Sequence, residues 1–480
     1  MSTAHGETAA YLIFGAGAFA LAATSALDAH IIWARSAAVG YAVAAYIMLC
    51  PLPPGRFALR RFGPAAPAGL PTALGWFSTG LCAHRRTLAA RLAALTGAVV
   101  IPFFDLLTDG SQLQNEINVV ADSGRQLLTT GVPYRPGATD INDIDPYLPL
   151  MSVFGFPRAI LERIGLDSST FWHVVGDPRI WCALAAVVAV VISLRVLGAH
   201  TSRAQGIVLL LIASPTVALE LCASGVDLPF AGFLLLTLVC VSVRRIATGA
   251  VFLAAAFAIK WISLLVLPVV LAYLIAVYGL RSITRFLIAF TVAAAVFTLP
   301  AMLALSDAIS QVFLFPTGNG DVPTPARSPM PGVLLVESGR AGTLVAYGLL
   351  ALCALVIAAL LVRRPPRTFS ALACYTGGGL TVFFLLAPVG RFGYLLIPIL
   401  LFGFAYIAAR AVPAAQPIRS SAESDAASRT VSRPSAETSR VPVHTSWAGT
   451  ESAPARLRAA IGTLRSASPV PPLVRDTSSP

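Results

Sequence analysis

Charged side chains are scarce in this chain of 480 residues. Aspartate, glutamate, lysine and arginine make up 12% of it, about half the share found in an ordinary soluble domain, while 56% of the residues are hydrophobic. The mean hydropathy is +0.78. So few charges cannot cover the two or three water-soluble domains that this length would otherwise suggest. The composition therefore indicates an integral membrane protein.

Lysine is almost absent: Lys260 is the only one, so all the other basic residues among the 34 are arginines. They occur in short clusters between apolar stretches, which is typical of the cytoplasmic side of a membrane protein and not of a nucleic-acid-binding surface. The cysteines form no CxxC pair, which argues against a cysteine-based zinc site. We therefore expect no nucleic-acid partner and no bound cofactor, assign no metal site, and leave the need for a divalent metal open.

Apolar stretches long enough to cross a bilayer recur along the chain. Residues 246–280 are apolar except at Lys260 and long enough for a hairpin of two passes with that lysine near its tip. Together with the separate stretches, this predicts an all-α, polytopic membrane helix bundle of about twelve spans. The separate stretches are residues 8–27, 30–50, 88–108, 180–198, 204–222, 228–243, 284–303, 341–362, 369–388 and 392–409.

The arginines also predict the orientation. They concentrate in alternate connections between spans, for example at Arg244 and Arg245 and at Arg363 and Arg364. By the positive-inside rule these connections are cytoplasmic, so both termini lie inside and the protein is expected in the plasma membrane. The opposite, outer side then receives residues 109–179, 223–227, 304–340 and 388–391.

This layout divides the chain into three regions. Residues 1–87 hold two N-terminal spans and a basic cytoplasmic loop, and residues 88–410 form the membrane core with the outer loop 109–179. Residues 411–480 are rich in serine, proline, alanine and arginine and have too few large apolar residues to build a core. We expect this cytoplasmic tail to be disordered.

The outer loop 109–179 is patterned. Apolar residues recur at helical spacing from Ile117 to Leu128, residues 131–134 read as a turn, and an apolar step begins at Tyr147. Such amphipathic pieces are typical of segments that lie along a membrane interface. They would bring Glu116 to the outer end of the bundle.

The same residues resemble the first outer loop of glycosyltransferase family 87, which includes the polyprenol-phosphate-mannose-dependent mannosyltransferases of actinobacteria within the C-type membrane glycosyltransferases. Residues 249–260 are similar to the family's apolar helix that ends in lysine, and the likeness covers about residues 88–410. It rests on Glu116-Ile117-Asn118-Val119-Val120, Leu127-Leu128, Gly131-Val132-Pro133-Tyr134, Tyr147-Leu148-Pro149-Leu150 and Ala387-Pro388. The chain departs from the family at Glu116, where aspartate is usual, at Leu148, where proline is usual, and at Arg391, near a position where histidine is common.

The resemblance implies a hexosyltransferase of the cell envelope that moves a mannose-like sugar from a polyprenyl-phosphate donor to a lipid or glycan acceptor on the outer face. This chemistry needs a base for the acceptor hydroxyl and cations for the departing phosphate. Glu116 is the candidate catalytic base, with Asp109 and Asp105 in reserve. The candidate substrate-binding residues are Lys260 and Arg391 for the phosphate, Asp227 and Arg327 for the acceptor, and Tyr134 and Tyr147 of the outer loop. The simpler interpretation of Asp227 and Arg327 is a structural role in their turns.

Lys260 also stands out on physical grounds, because a charge within an apolar segment is costly and is a functional candidate by default. The simpler interpretations are a snorkelling lysine, a solvated carboxylate at Glu116 and an interfacial anchor at Arg391. Two other classes of protein also stay open. A transporter or lipid flippase would be expected to show repeats with matched broken helices, and an inactive membrane scaffold agrees with the departures from the family.

Overall fold

The computed structural model describes residues 3–50, 85–108, 114–166, 170–325 and 328–411. All the regular secondary structure elements in these ranges are helices, which confirms the all-α prediction. The longer helices are α1 (Thr3–Thr24), α2 (Asp28–Leu49), α3 (Arg85–Thr108), α4 (Asn115–Thr130), α5 (Phe156–Arg163), α6 (Thr170–Gly176), α7 (Pro178–Val196), α8 (Ser202–Ile212), α9 (Pro215–Ala223), α10 (Leu228–Ser242), α11 (Ile246–Phe257), α12 (Trp261–Tyr278), α13 (Leu280–Leu303), α14 (Leu305–Leu314), α15 (Pro331–Glu337), α16 (Arg340–Arg363), α17 (Phe369–Leu386) and α18 (Phe392–Arg410).

Within the described ranges, 9 helices are long and apolar enough to cross a membrane, and the pair α8–α9, bent by 62°, makes up to 10. The two other predicted spans correspond to the shorter helices α10, with 15 residues, and α11, with 12. A polytopic helical bundle is therefore confirmed, and the count of twelve spans stays a prediction. The tail from residue 412 onward and residues 51–84 of the basic loop lie outside the described residues.

Helix α10 forms the centre of the bundle. It is apolar all round, and nearly all of its side chains are buried against α7, α11, α17 and α18. A helix without a polar face is stable only when other helices or lipid surround it. Helix α16 shows the opposite case, because it leaves Leu344 and Val362 exposed by 73% and 83%. Exposed apolar side chains on a helix of this length are expected to face lipid tails.

The N-terminal pair α1–α2 packs on α3 through a close backbone approach. A Cβ built on Gly40 would lie 2.7 Å from the Cα of Gly97, so neither position has room for a side chain. The indole N–H of Trp33 donates to the carbonyl of Ala98 at 2.8 Å, within the π-helical turn of α3. The Tyr41 hydroxyl donates to the carbonyl of Ala213 at the α8–α9 bend. The first two helices are thus part of the same packed body as the core.

The segment from α11 to α12 turns back on itself. Residues 258–260 interrupt the helix, with Lys260 in extended conformation. At the far end of α12, the Tyr278 hydroxyl donates to the carbonyl of Ser242 at 2.9 Å, and Arg244 lies 5.9 Å from the Tyr278 ring. Ser242 ends α10 and Arg244 lies just before α11. The end of α12 therefore lies beside the start of α11. Lys260 lies at the tip of this hairpin.

The outer loop is fixed to that tip. Helix α4 packs on the turn Met151–Gly155 so closely that a Cβ on Gly155 would lie 2.1 Å from the carbonyl oxygen of Val120. The amides of Leu148 and Leu150 then donate to the carbonyls of Ile259 and Ala258, both at 3.0 Å. These two hydrogen bonds use the backbone groups that the helix break leaves free, and they set the loop beside Lys260.

A buried ion pair holds α7 and α9 together. Arg179 is 1% exposed, and its guanidinium pairs with Asp177 at 2.7 Å and donates to the carbonyls of Leu106, at 2.9 Å, and Cys222, at 3.3 Å. A buried charge is tolerated only when it is paired and hydrogen-bonded in this way. The turn between α9 and α10 passes over Arg179 at Gly225, whose φ of +68° favours glycine. This turn ends at Asp227.

Candidate functional site

A cavity of about 120 Å³ lies between the outer loop and the tip of the hairpin. A water molecule needs about 10–15 Å³ by the same measure, so the space suits a polar group of several heavy atoms. Its lining combines apolar side chains with the charged side chains of Glu116, Lys260 and Arg391. The lining residues are Asn115, Glu116, Val119, Ile141, Ile144, Pro146, Tyr147, Lys260, Trp261, Ile262, Phe315, Pro316, Thr324, Pro325, Val389, Arg391 and Tyr394.

Glu116 and Arg391 form an ion pair at this cavity. Glu116 lies in the first turn of α4, where the helix dipole favours a carboxylate. Arg391 precedes the helical turn that opens α18. The backbone there is held by Ser328, whose amide donates to Gly390 at 2.9 Å and whose hydroxyl accepts from the amide of Phe392 at 3.2 Å. The base candidate and one phosphate candidate are therefore paired with each other.

Lys260 and Asp227 form the second ion pair. The Lys260 ammonium also lies 5.2 Å from the ring centre of Tyr147 and 4.8 Å from that of Tyr394. Such cation–π contacts stabilise an ammonium group that is withdrawn from water. The Lys260 side chain is only 12% exposed. It points inward to a carboxylate and two aromatic rings, and a lysine that snorkels to the surface would not make these contacts.

The two tyrosines of the outer loop have different positions. Tyr147 lines the cavity, whereas Tyr134 is fully buried and donates its hydroxyl proton to the carbonyl of Tyr147 at 3.2 Å. Burial raises the pKa of Tyr134, which keeps this hydroxyl a donor. Tyr134 therefore orients the backbone that carries Tyr147 and does not itself reach the cavity.

Asp145 lies beside the cavity lining but is buried from solvent. Its carboxylate accepts from the amide of Tyr147 at 3.0 Å, and its own amide donates to the side chain of Gln311 at 3.0 Å. Burial raises the pKa of Asp145 to about 8, and hydrogen bonds with Tyr147 and Ser123 oppose that effect. The carboxyl is thus mostly protonated at neutral pH and adds little charge to the cavity.

The tertiary structure adds a carboxylate that the sequence interpretation missed. Glu220 of α9 is half-buried and accepts a hydrogen bond from the hydroxyl of Ser224. It interacts electrostatically with Asp227 and Lys260, and a Cβ built on Gly393 would lie 2.7 Å from its Oε2. The sequence signal that could have identified Glu220 is the one that singled out Lys260, namely a charged residue inside an apolar segment.

Helix α2 also reaches the edge of the site. The ring Nε2 of His30 lies 3.2 Å from the side-chain amide nitrogen of Gln114, directly before α4, and His30 interacts electrostatically with Arg391. The sequence interpretation placed the first two spans outside the functional core. In the structure, α2 supports the segment that carries Glu116.

The remaining candidates lie elsewhere. Asp105 is exposed on α3 and does not line the cavity, while Asp109 and Arg327 lie outside the described residues. Within the part of the chain that the structure describes, no three His, Cys, Asp or Glu side chains lie close enough together to hold a metal ion. Glu116, Tyr147, Asp227, Lys260 and Arg391 therefore form the candidate site.

No protein-family model matches the chain, and no curated protein matches it with significance. The resemblance to glycosyltransferase family 87 accordingly depends on the loop and hairpin residues quoted above. The functional argument has to come from the chemistry of the site.

Proposed function

We propose that this protein is a membrane glycosyltransferase that moves a sugar from a polyprenyl-phosphate donor to an acceptor hydroxyl at the outer face of the plasma membrane. The observation that carries the proposal is the meeting of Glu116, Lys260 and Arg391 at one cavity that apolar side chains also line. These three residues come from segments far apart in the chain. Glu116 was selected for the acceptor proton, and Lys260 and Arg391 were selected for the donor phosphate. The proposal includes twelve spans, with both termini in the cytoplasm.

In this reaction the acceptor oxygen attacks the anomeric carbon, and the bond between that carbon and the phosphate oxygen breaks. The phosphate leaves with the electron pair as a polyprenyl monophosphate, and the acceptor proton passes to Glu116. Lys260 and Arg391 offset the charge that develops on the leaving oxygen. Tyr147 and Tyr394 keep the Lys260 ammonium in place, and Trp261 and Phe315 offer apolar surface to the first part of the prenyl chain.

The Glu116–Arg391 ion pair gives this scheme an order. A carboxylate that is paired with a guanidinium is a weakened base, because the neighbouring cation favours its ionised form. A donor phosphate that draws Arg391 toward itself would release Glu116 for the acceptor. Donor binding is therefore expected to come before acceptor activation.

The test is sugar transfer by the full chain reconstituted in liposomes, with polyprenyl-phosphate-mannose as donor and octyl mannoside as acceptor. Glu116→Gln should lower the transfer rate by at least about a hundredfold, which is the usual contribution of a general base. Glu116→Asp, which restores the residue usual in the family, should keep measurable transfer. Parental rates in Glu116→Gln would remove Glu116 from the mechanism, and a parent without transfer would favour the inactive scaffold.

One observation favours the transporter or flippase as a second candidate. The α8–α9 bend of 62° is a second interruption within apolar helices, besides the break at Lys260, and paired broken helices are typical of transporters. The same liposomes distinguish the two functions. A flippase would move a fluorescent prenyl-phosphate lipid between leaflets without cleaving it, whereas the transferase cleaves its donor and leaves the lipid in its leaflet.

A further inference from the structure

Four exposed arginines lie at the end of the α11–α12 hairpin that is opposite Lys260. Arg244 and Arg245 belong to the turn between α10 and α11, and Arg281 and Arg285 lie in the first two turns of α13. The two pairs are separated in the chain by the whole hairpin, so only the packing of the helices can bring them together.

Contacts at two levels align α11 and α13 side by side in the same direction. Near their starts, the Tyr278 hydroxyl donates to the carbonyl of Ser242 at 2.9 Å. About three turns further along, the rings of Phe257 in α11 and Phe290 in α13 lie 6.1 Å apart. Both arginine pairs therefore lie at the same end of two neighbouring helices.

The backbone at Arg244 favours glycine. Helix α10 ends in a Schellman motif, in which the amide of Arg245 donates to the carbonyl of Cys240 at 2.8 Å. Arg244 has a φ of +66°, and glycine is the usual residue at its position in this motif. Its guanidinium lies 5.9 Å from the ring centre of Tyr278. The positive-inside rule explains basic residues at this end, but it does not require arginine where glycine fits better.

No carboxylate balances these charges within the part of the chain that the structure describes, because none of the four guanidinium groups forms an ion pair there. The sequence contains no aspartate or glutamate between Asp227 and Asp307, and none in the loop 51–84. The tail after residue 411 has eight arginines against five acidic residues, so it adds more positive than negative charge. A ligand that complements this surface is therefore an anion.

We propose that the four arginines bind the headgroup of an anionic phospholipid with two phosphates. Guanidinium groups hold phosphates through paired N–H donors, and basic surfaces between transmembrane helices suit such headgroups. Each pair offers a place for one phosphate: Arg244 and Arg245 are adjacent in one turn, and Arg281 and Arg285 are neighbours at i and i+4 on α13. This inference is independent of the proposed sugar transfer, because it concerns the other end of the hairpin. The proposed orientation makes the lipid one of the cytoplasmic leaflet.

Titration of the full chain in mild detergent, followed by native mass spectrometry, counts the lipids bound to each chain and measures their affinity. The probes are diphosphatidylglycerol, with two phosphates, and phosphatidylglycerol, with one, both with the same acyl chains. The parent should bind one diphosphatidylglycerol at least about tenfold more tightly than phosphatidylglycerol, because the second phosphate engages the second arginine pair. Inorganic pyrophosphate, which has no acyl chains, should bind more weakly than either lipid.

Paired variants assign this binding to the four arginines. Arg244→Gln/Arg245→Gln and Arg281→Gln/Arg285→Gln should each weaken diphosphatidylglycerol binding by about tenfold or more and reduce the preference for two phosphates. Arg363→Gln/Arg364→Gln is the matched control, since it removes two exposed arginines from another basic connection and should keep the parental affinity.

A lysine variant separates phosphate binding from the effect of charge on membrane insertion. Arg244→Lys/Arg245→Lys keeps the charges that orient the protein but loses the planar fork of each guanidinium. It should weaken diphosphatidylglycerol binding by at least about threefold, and the parental affinity in this variant would overturn the role of the two guanidinium groups.

Three further results would overturn the proposal. Equal affinities of the parent for the two lipids would show that a second phosphate is not recognised. An equal loss in the Arg363→Gln/Arg364→Gln control would reduce the binding to general attraction between charges. Pyrophosphate binding as tight as lipid binding would assign the surface to a soluble anion. The parental preference and the lysine variant remain decisive even if the glutamine variants do not insert.

Discussion

The Arg391 guanidinium pairs with the Glu116 carboxylate at the cavity, although the two residues lie in segments far apart in the chain. Each was selected for an opposite task, one to attract the donor phosphate and the other to remove the acceptor proton. Their ion pair means that a phosphate ligand has to compete with Glu116 for Arg391.

Removing that competitor should strengthen phosphate binding even as it abolishes transfer. Glu116→Gln is expected to bind farnesyl methyl phosphate, a soluble phosphodiester with one charge, up to about fivefold more tightly than the parent, because a partly exposed ion pair contributes up to about 1 kcal/mol. Calorimetric titration measures the affinity. The control is Glu162→Gln, an outer-loop carboxylate paired with Arg125 and Arg158 away from the cavity lining. Weaker binding in Glu116→Gln would contradict the competition.

The Lys260–Asp227 pair predicts a stability effect that a partner mutation reverses. Lys260→Met alone leaves the carboxylate of Asp227, 5% exposed, without its cation, which should cost about 3–5 kcal/mol. The double variant Lys260→Met/Asp227→Asn should regain most of this stability. Both variants should lose affinity for farnesyl methyl phosphate. Thermal unfolding in nanodiscs and calorimetry provide the two readouts.

A single variant Lys260→Met that unfolds at the parental temperature would show that the pair contributes nothing to stability. A double variant that binds the phosphodiester like the parent would remove Lys260 from the phosphate site.

Asp145 predicts a dependence of stability on pH. Its pKa is raised to about 8 in the folded chain, against about 3.9 when unfolded, so the folded state binds more protons between these values. Stability should therefore fall as the pH rises through this window, by on the order of 1 kcal/mol per pH unit. Asp145→Asn imitates the protonated carboxyl and should flatten the profile.

The comparison is the unfolding temperature of the parent, Asp145→Asn and the exposed control Asp321→Asn between about pH 5 and pH 8, a window inside the range that the raised pKa defines. A parental slope in Asp145→Asn would show that other groups set the pH dependence.

The contact between α4 and the turn Met151–Gly155 predicts a strict requirement for glycine. Gly155→Ala would place a methyl group 2.1 Å from the carbonyl oxygen of Val120, so the backbone has to move. We expect the free energy of unfolding to fall by about 1–3 kcal/mol. Sugar transfer should also weaken, because Glu116 lies on α4. Gly348→Ala in α16 is the matched control, because among the described residues no atom beyond the neighbouring backbone of α16 lies within 4 Å of the new methyl group. Equal unfolding temperatures for the two variants would contradict this packing.

The orientation predicts which positions a membrane-impermeant maleimide reaches in intact cells. Asp321→Cys, next to the cavity-lining segment, should be labelled from outside, and Ser202→Cys, next to Arg203, should be labelled only after permeabilisation. The parent chain provides the background from the native cysteines. Labelling in the reverse pattern would invert the protein and move the proposed site to the cytoplasmic face.

Much of the architecture follows from the sequence alone. Long apolar stretches can satisfy their backbone in a bilayer only as helices, so composition and segment length determined the helical bundle and the approximate position of its helices. The isolated charge of Lys260 marked the hairpin tip, because a charge in an apolar segment needs a specific partner. Glu220 fulfilled the same criterion, and applying it uniformly would have found it.

Only the tertiary structure decided how the charges combine. Which carboxylate faces which cation depends on contacts between segments far apart in the chain, and no local pattern specifies these contacts. Asp227 meets Lys260 because the α9–α10 turn passes over Arg179 and the outer loop is hydrogen-bonded to the carbonyls of residues 258 and 259. Glu116 meets Arg391 because α4 packs on Gly155 while Ser328 holds the turn before α18. The sequence determined which residues are costly to bury, and the packing of backbone on backbone determined the partners that make their burial tolerable.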